Sequence, residues 1–371
     1  MITTRAAITD KVGASPELRD ITVADPRDNE ILVQILASGI CHTDLAVIHG
    51  DMPSRFPIVL GHEGAGVVEA VGPNISSLAP GDRVVLSYSS CGHCAACLDG
   101  APAYCAMLGE LNLAGTRLDG TSPLADSDGQ MIHGSFFGQS SWATHVITQS
   151  RNIVKIPPDF PLELAAPLGC GVQTGAGAVF NTLRPAPGSR LVVAGAGTVG
   201  LSAIMAAAAL GVTTVVAIDL LPERRAAALR LGASVALDGR SPTLGTELRS
   251  ALNGLADATI DTTAVPPVLT AAAAATRRGG TVVSLGVPRP GAQLPVAALM
   301  GKTFKGVMEG DAVPQRFIPQ LTELIRAGRF PVDQLVTAYP FEQISEAIDA
   351  TVSGAAIKAV LTFPDRTGVD G

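Results

Sequence analysis

The amino-acid sequence predicts an α/β protein of two domains, one a β-rich, partly open barrel and the other a doubly wound parallel sheet. Three observations lead there. Up to about residue 85, short apolar runs alternate with turn signals. From about Gly171, strands alternate with Ala-rich helices behind a glycine-rich turn. A chain of 371 residues with 47% hydrophobic side chains is long enough for two separate cores.

In the first domain, Ile31 to Leu36, Val67 to Val71 and Val84 to Leu86 read as strands. They are divided by Asp25-Pro26, Gly72-Pro73 and Pro80-Gly81-Asp82-Arg83. Between Cys105 and Phe136 the chain is polar and rich in Gly, Asp and Ser, which predicts a long loop of functional or interfacial use. In the second domain, RLVVAGAGTVGLSAIMAAAALG gives an apolar strand, the turn Gly195-x-Gly197-x-x-Gly200 and a helix, and VVAIDL then ends in Asp219. Strand, turn, helix, strand and acidic residue arrive in register, which is the pattern of a dinucleotide site. Gly195 makes the turn, Gly197 lets a pyrophosphate approach a helix N-terminus, and Gly200 lets helix and strand pack. Asp219 is expected to accept bonds from the adenosine ribose and to repel a 2′-phosphate, favouring NAD over NADP. Arg224 and Arg225 are expected to begin the next helix and face solvent. Ala258 to Asp261, a helix through Leu269 to Thr276, and GGTVVSLGV continue the sheet, and a helix PQRFIPQLTELIRAG follows.

Composition limits the partners. A net charge of -7 without any Lys/Arg run disfavours nucleic acid. The first residues lack a signal-type apolar core, and the longest apolar region, from Leu191 to Ile218, is broken by glycines. No membrane association and a cytoplasmic location are therefore expected.

The six cysteines fall into two sets. Cys91, Cys94, Cys97 and Cys105 have the spacing with which four thiolates close around one structural zinc. Disulfides between such near neighbours would have poor geometry. A zinc ribbon for nucleic acid does not suit the acidic charge, and His93 inside the lobe is expected to be solvated. The other set needs GHEGAGVVEAVG, where His62 offers an imidazole and Glu63 a second donor or a supporting group. Cys41, twenty-one residues upstream, and Cys170, far downstream, complete the three-ligand pattern of an open catalytic zinc site. Asp44 admits two readings, an acceptor for the other nitrogen of His62 or a helix-cap residue.

On these motifs the chain resembles the zinc-dependent alcohol dehydrogenases of the medium-chain dehydrogenase/reductase superfamily, nearly end to end. Gly61-His62-Glu63, Gly66, Gly72 and Ile75 stand at the family's spacing, and GICHTDL, APAYC and SFFGQSSWATH are most similar to the NAD-dependent aryl-alcohol (benzyl-alcohol) branch. The resemblance implies a GroES-like catalytic domain over residues 1–170, a Rossmann coenzyme domain over 171–309, and a return to the first domain over 310–371. It implies two zinc ions, NAD, a small alcohol or aldehyde substrate, and a homo-oligomer, with the loop after Cys105 associated with dimers. His42, Thr198, Val199, Arg224, Val287 and Lys358 become expected coenzyme contacts, Lys358 near the pyrophosphate. Thr43 becomes the hydroxyl that carries the alcohol proton outward, although a helix-cap threonine is its ordinary reading.

Zinc and NAD together imply hydride transfer. An alcohol is a poor hydride donor until it loses its proton, and zinc acidifies a bound oxygen, toward ~7 for water. Carbon, metal and ring must meet, so a cleft between the domains is expected. One departure stands out: Ala46 occupies the place of a relay histidine common in relatives, so the proton leaves by another path, and His49 reads as an exposed loop residue. A thiol-dependent formaldehyde dehydrogenase and a non-catalytic zinc-stabilised binding protein are the alternatives. The first would need an anion-binding cluster that the sequence does not reveal, and the second would not retain Cys41, His62 and Cys170. Finally, the scarce aromatics Phe136, Phe137 and Trp142 cluster after the long loop. They read either as core residues of a strand, Trp142 above all, or as substrate-channel walls. The resemblance places Phe136 and Phe137 beside the substrate with Tyr88, Val287 and Met308, a lining suited to a primary aromatic or allylic alcohol.

Overall fold

The computed structural model describes residues 1–289 and 291–364. The chain divides into two compact units. Of the described residues, one comprises Met1–Cys170, Val313–Thr322 and 333–364, and the other Gly171–Ala312 and Glu323–Val332. The second boundary therefore lies beyond residue 309, and Glu323–Val332 groups with the second unit instead of the first. A bond from the Arg329 guanidinium to the Ala209 carbonyl, 2.7 Å, ties that segment to helix Thr198–Ala209 of the second unit.

The first unit is built on two sheets. One runs in the order Ile58–Val59, Ile2–Thr9, Glu17–Val23, Leu124–Ala125, Met131–Ile132. The other runs Ile153–Lys155, Arg83–Leu86, Glu63–Val71, Glu30–Gly39, Lys358–Thr362, Val336–Pro340, with His145–Gln149 also pairing on Glu30–Gly39. An isolated bridge between Ala6 and Ala143 joins the two, giving the nearly closed, barrel-like arrangement expected of the alternating runs. Glu30–Gly39 is buried along almost its whole length, so it reads in sequence as a continuous apolar run. Strand Lys358–Thr362 lies antiparallel to it and brings the end of the chain into the first unit.

The region between Cys105 and Phe136 is more than a loop. It holds a helix, Leu108–Leu113, and two short strands that extend the first sheet from Glu17–Val23. Asp126 makes the turn between those strands by accepting the amides of Asp128 and Gln130, an ordering that a Gly/Asp/Ser composition conceals. Trp142 is fully buried but lies in a bend, not a strand.

The second unit is a parallel sheet in the order Val235–Asp238, Thr214–Asp219, Arg190–Ala194, Ala256–Asp261, Thr276–Ser284, Thr303–Gly306. The order reverses beside Arg190–Ala194, which puts the glycine-rich turn at the switch point where doubly wound sheets bind ligands. Helix Pro266–Ala275 covers one face, its prolines at the first turn where a missing N–H costs nothing. No helix among the described residues is long and apolar enough to cross a membrane.

Candidate active site

Glu63–Val71 begins immediately after His62, so the sheet itself fixes where the imidazole stands. The ligand atoms of Cys41, His62, Glu63 and Cys170 lie within 4.8 Å of one another. Cys41 is the N-cap of helix His42–His49, and Asp44 serves both of its expected roles at once. Its Oδ2 accepts the Cys41 amide at 2.9 Å, while its Oδ1 accepts the Gly61 amide at 3.1 Å and faces His62 Nδ1 at 2.8 Å. That interaction leaves Nε2 as the outward donor atom of His62, and this buried nitrogen has no partner within the protein. Thr43 is partly exposed, its hydroxyl 3.7 Å from Cys41 Sγ, whereas His42 and His49 are exposed.

The electrostatics suit a cation. The Cys170 thiol, and then His62 and Lys358, hold Cys41 well below the ordinary thiol range although burial opposes ionisation. Burial also opposes charge on His62, yet Asp44 and Cys41 raise it well above its usual value. Ligation takes thiolates and a neutral imidazole, so metal binding there would release protons. Behind these groups lies a buried ion pair: Lys358 Nζ donates to both oxygens of Glu63 and to the Ile40 carbonyl, each at 2.9 Å. Burial would lower Lys358, but Glu63 and the two thiols outweigh it, so the ammonium stays charged. All three of its protons are taken, and a contact with coenzyme pyrophosphate, the expected role, would require Lys358 to leave Glu63.

The segment from Phe136 to Trp142 closes one side of the site. Phe137 stacks on His62 with ring centroids 4.4 Å apart, and Phe136 meets the same ring edge-on at 5.7 Å. Phe136 and Tyr88 are 0% and 3% exposed, so neither offers a free wall to a substrate as expected; the aromatic pair is a packed backing in which Phe137 alone is partly exposed. Gln139, which the sequence reading passed over, is wholly buried and bonds the backbone on both sides of Glu63. The one signal for it was a polar Gln-Ser-Ser run between aromatics in an otherwise apolar stretch.

The four lobe cysteines also converge within 4.8 Å, and no cysteine of the chain is in a disulfide. Backbone amides aim at the sulfurs, among them Cys91 N to Cys105 Sγ at 3.3 Å and Cys94 N to Cys91 Sγ at 3.4 Å. The Ala106 amide helps lower Cys94 to about 6, while burial lifts Cys97 to about 11. Four sulfurs at this spacing, with amides compensating their charge, fit a closed tetrahedral zinc site. His93 is exposed, its ring Nδ1 3.0 Å from the Cys91 carbonyl.

In the second unit, Gly195 has φ +90°, and a Cβ at Gly200 would collide with the Gly195 carbonyl. A Cβ at Gly197, the N-cap of helix Thr198–Ala209, would meet nothing within 4 Å, so backbone N–H groups stand open to an anion there. Thr198 and Val199 are partly exposed in the same turn. Asp219 accepts the Ala196 amide at 2.7 Å and the Leu221 amide at 2.9 Å, which fixes it beside the turn. Arg225 donates to the Asp219 and Leu220 carbonyls, each at 3.0 Å. Arg224 does not face solvent as expected: it is 8% exposed, its guanidinium within the influence of Asp219. Val287 and Met308 are exposed, at 74% and 46%.

Residues 27–158 match the family of alcohol dehydrogenase GroES-like domains, and residues 198–327 match the zinc-binding dehydrogenases. Geraniol dehydrogenase of Castellaniella defragrans is 47% identical over 368 residues, covering 98% of each chain. The chain belongs to the zinc-dependent alcohol dehydrogenases of the medium-chain dehydrogenase/reductase superfamily. Among solved structures, a zinc-binding-domain alcohol dehydrogenase from Burkholderia ambifaria is 44% identical with a TM-score of 0.95, covering 98% of this chain and 100% of that one. Benzyl alcohol dehydrogenase from Acinetobacter calcoaceticus is 38% identical with a TM-score of 0.94 over the same shares. The alcohol dehydrogenase described here is thus close to aryl-alcohol types.

Proposed function

We propose that this alcohol dehydrogenase oxidises primary allylic or aromatic alcohols to aldehydes, and runs the reverse, with NAD and two zinc ions per chain. The observation that carries the substrate class is Phe137, partly exposed and stacked on His62 with Phe136 packed behind it, which puts an aromatic face beside the candidate metal ligands. Geraniol and benzyl alcohol, the substrates in the names of two relatives, share a carbinol carbon next to an sp2 carbon. A flat, unsaturated neighbour of the reacting carbon gains from ring contacts, about 0.5–1.5 kcal/mol beyond area burial.

Cys41, His62 and Cys170 would hold the catalytic zinc, which supplies Lewis acidity toward the alcohol oxygen while NAD accepts the hydride. The protein's share is to position and to move a proton. Thr43 receives the alcohol proton and passes it outward, without a histidine at Ala46 to relay it. Asp44 keeps the His62 tautomer fixed. The open backbone at Gly197 takes the coenzyme pyrophosphate, and Asp219 takes the ribose and disfavours a 2′-phosphate by at least about tenfold, roughly 1.4 kcal/mol. The strand Thr303–Gly306, an exposed sheet edge with Val296, Met300 and Phe304 exposed nearby, supports a homodimer.

Initial rates of NADH formation with geraniol, cinnamyl alcohol, benzyl alcohol, hexanol and ethanol test the reading. The unsaturated alcohols should exceed ethanol in kcat/KM by well over tenfold. Ethanol matching them, or NADP matching NAD, would remove the corresponding part of the proposal.

A further inference from the structure

The segment after the aromatic pair lies along the His62 segment bond by bond. Trp142 N donates to the Leu60 carbonyl at 3.0 Å and Ser141 N to the Gly61 carbonyl at 2.8 Å. At the next step a side chain replaces the backbone. Gln139 Nε2 donates to the His62 carbonyl at 3.0 Å and the Ser87 carbonyl at 3.3 Å, and Gln139 Oε1 accepts the Gly64 amide at 3.0 Å. Only a primary amide supplies donors and an acceptor in this arrangement. A carboxylate would set an oxygen against the His62 carbonyl, and an apolar side chain would leave buried backbone groups unpaired.

Asp44 fixes Nδ1 of His62, but one hydrogen bond leaves the imidazole free to rock about that contact. The Phe137 ring removes this freedom, lying nearly parallel to the imidazole at an interplanar angle of 28°. To place it there the backbone of Phe137 adopts φ +50°, a left-handed conformation that non-glycine residues seldom take. The Asn152 amide holds the carbonyls of Phe137 and Gly138 at 3.5 and 3.4 Å. We propose that Gln139 and Phe137 are positioning residues for the catalytic metal, Gln139 through the backbone of His62 and Phe137 through its ring. The proposal rests on Cys41, His62 and Cys170 being the metal ligands.

The test is metal binding, not turnover. Zinc affinities of both sites would be measured by chelator competition on the full chain, and the cobalt-substituted protein would report ligand geometry in its visible spectrum. Gln139→Met and Phe137→Leu should each weaken the three-ligand site about 10–100-fold, the usual cost of losing a group that orients a ligand, and leave the four-thiolate site unchanged. Ser140→Ala is the control. It breaks buried bonds to the Val59 carbonyl and Phe136 amide in the same segment, so it should lower Tm and leave both affinities as they were. Wild-type affinities and spectra in Phe137→Leu, and in Gln139→Met where it folds, would overturn the proposal, as would an equal loss in Ser140→Ala. A wild-type chain that takes up only one metal would instead overturn the ligand assignment beneath it.

Discussion

The two thiolate clusters solve the same problem from opposite ends. Between Cys91 and Cys105 a single stretch of chain supplies all four sulfurs, and nearby backbone amides, at Cys91, Cys94, Ala106 and Met107, stabilise them. The cluster at Cys41, His62 and Cys170 draws on distant parts of the chain and is held by side chains that are themselves buried: Asp44, Gln139 and the Lys358–Glu63 pair. Lys358 reaches Glu63 across 295 residues of sequence. A site made by one loop can form with that loop, whereas a site made by the fold exists only when the fold does. The first suits a permanent metal, the second an open position whose geometry can be tuned from behind.

Separating the two clusters by mutation is the most direct challenge to this contrast. Cys170→Ala should reduce turnover by more than the about 10²–10³-fold cost of a single transition-state hydrogen bond, while one zinc and the fold remain. Metal analysis and steady-state rates check it, and loss of both metals would mean the clusters are not independent. Next in size, Lys358→Met leaves the Glu63 carboxylate buried without its counter-ion and should cost about 3–5 kcal/mol in urea unfolding. Adding Glu63→Gln should recover most of that loss, because the penalty lies in the orphaned charge. Asp44→Asn should weaken metal at the three-ligand site about 10–100-fold in a chelator titration and leave the lobe untouched.

The smallest effect comes from a surface pair that serves as a baseline for the buried one. Arg277, with the Arg190 amide, holds the Asp257 carboxyl below its ordinary range. A depressed carboxylate contributes stability above its unfolded pKa of about 3.9, and that contribution is lost as pH falls through the folded value. Both side chains are substantially exposed, so Arg277→Ala should cost less than about 1 kcal/mol at pH 7 and progressively less as pH falls below about 3.9, measured by unfolding across that range.

How far the sequence could be read follows the same division. The convergence of the lobe was legible because its cysteines are neighbours, and the glycine-rich turn because Gly195, Gly197, Gly200 and Asp219 sit at fixed intervals around one strand and helix. The strands from Ile31, Val67 and Val84 were legible from their apolar runs between turn residues. Gln139 was not, since a glutamine carries no mark of burial until the neighbouring carbonyls are in place. The pairing of Lys358 with Glu63 was hidden by distance, and the burial of Arg224 by a position at a helix start that ordinarily faces water. Helix Leu108–Leu113 and the short strands after it were masked by a loop-like composition, their order coming from contacts such as Asn112 with Ser89.

The chain contains one tryptophan, and its indole packs directly against Gly61, next to His62. Tryptophan emission from the whole protein therefore arises from one wall of one site, with no second indole to dilute it. Seating of residues 136–142 on the His62 strand, and any loosening when a ligand or metal leaves, is written into the wavelength and intensity of that single emitter, so the site carries its own label.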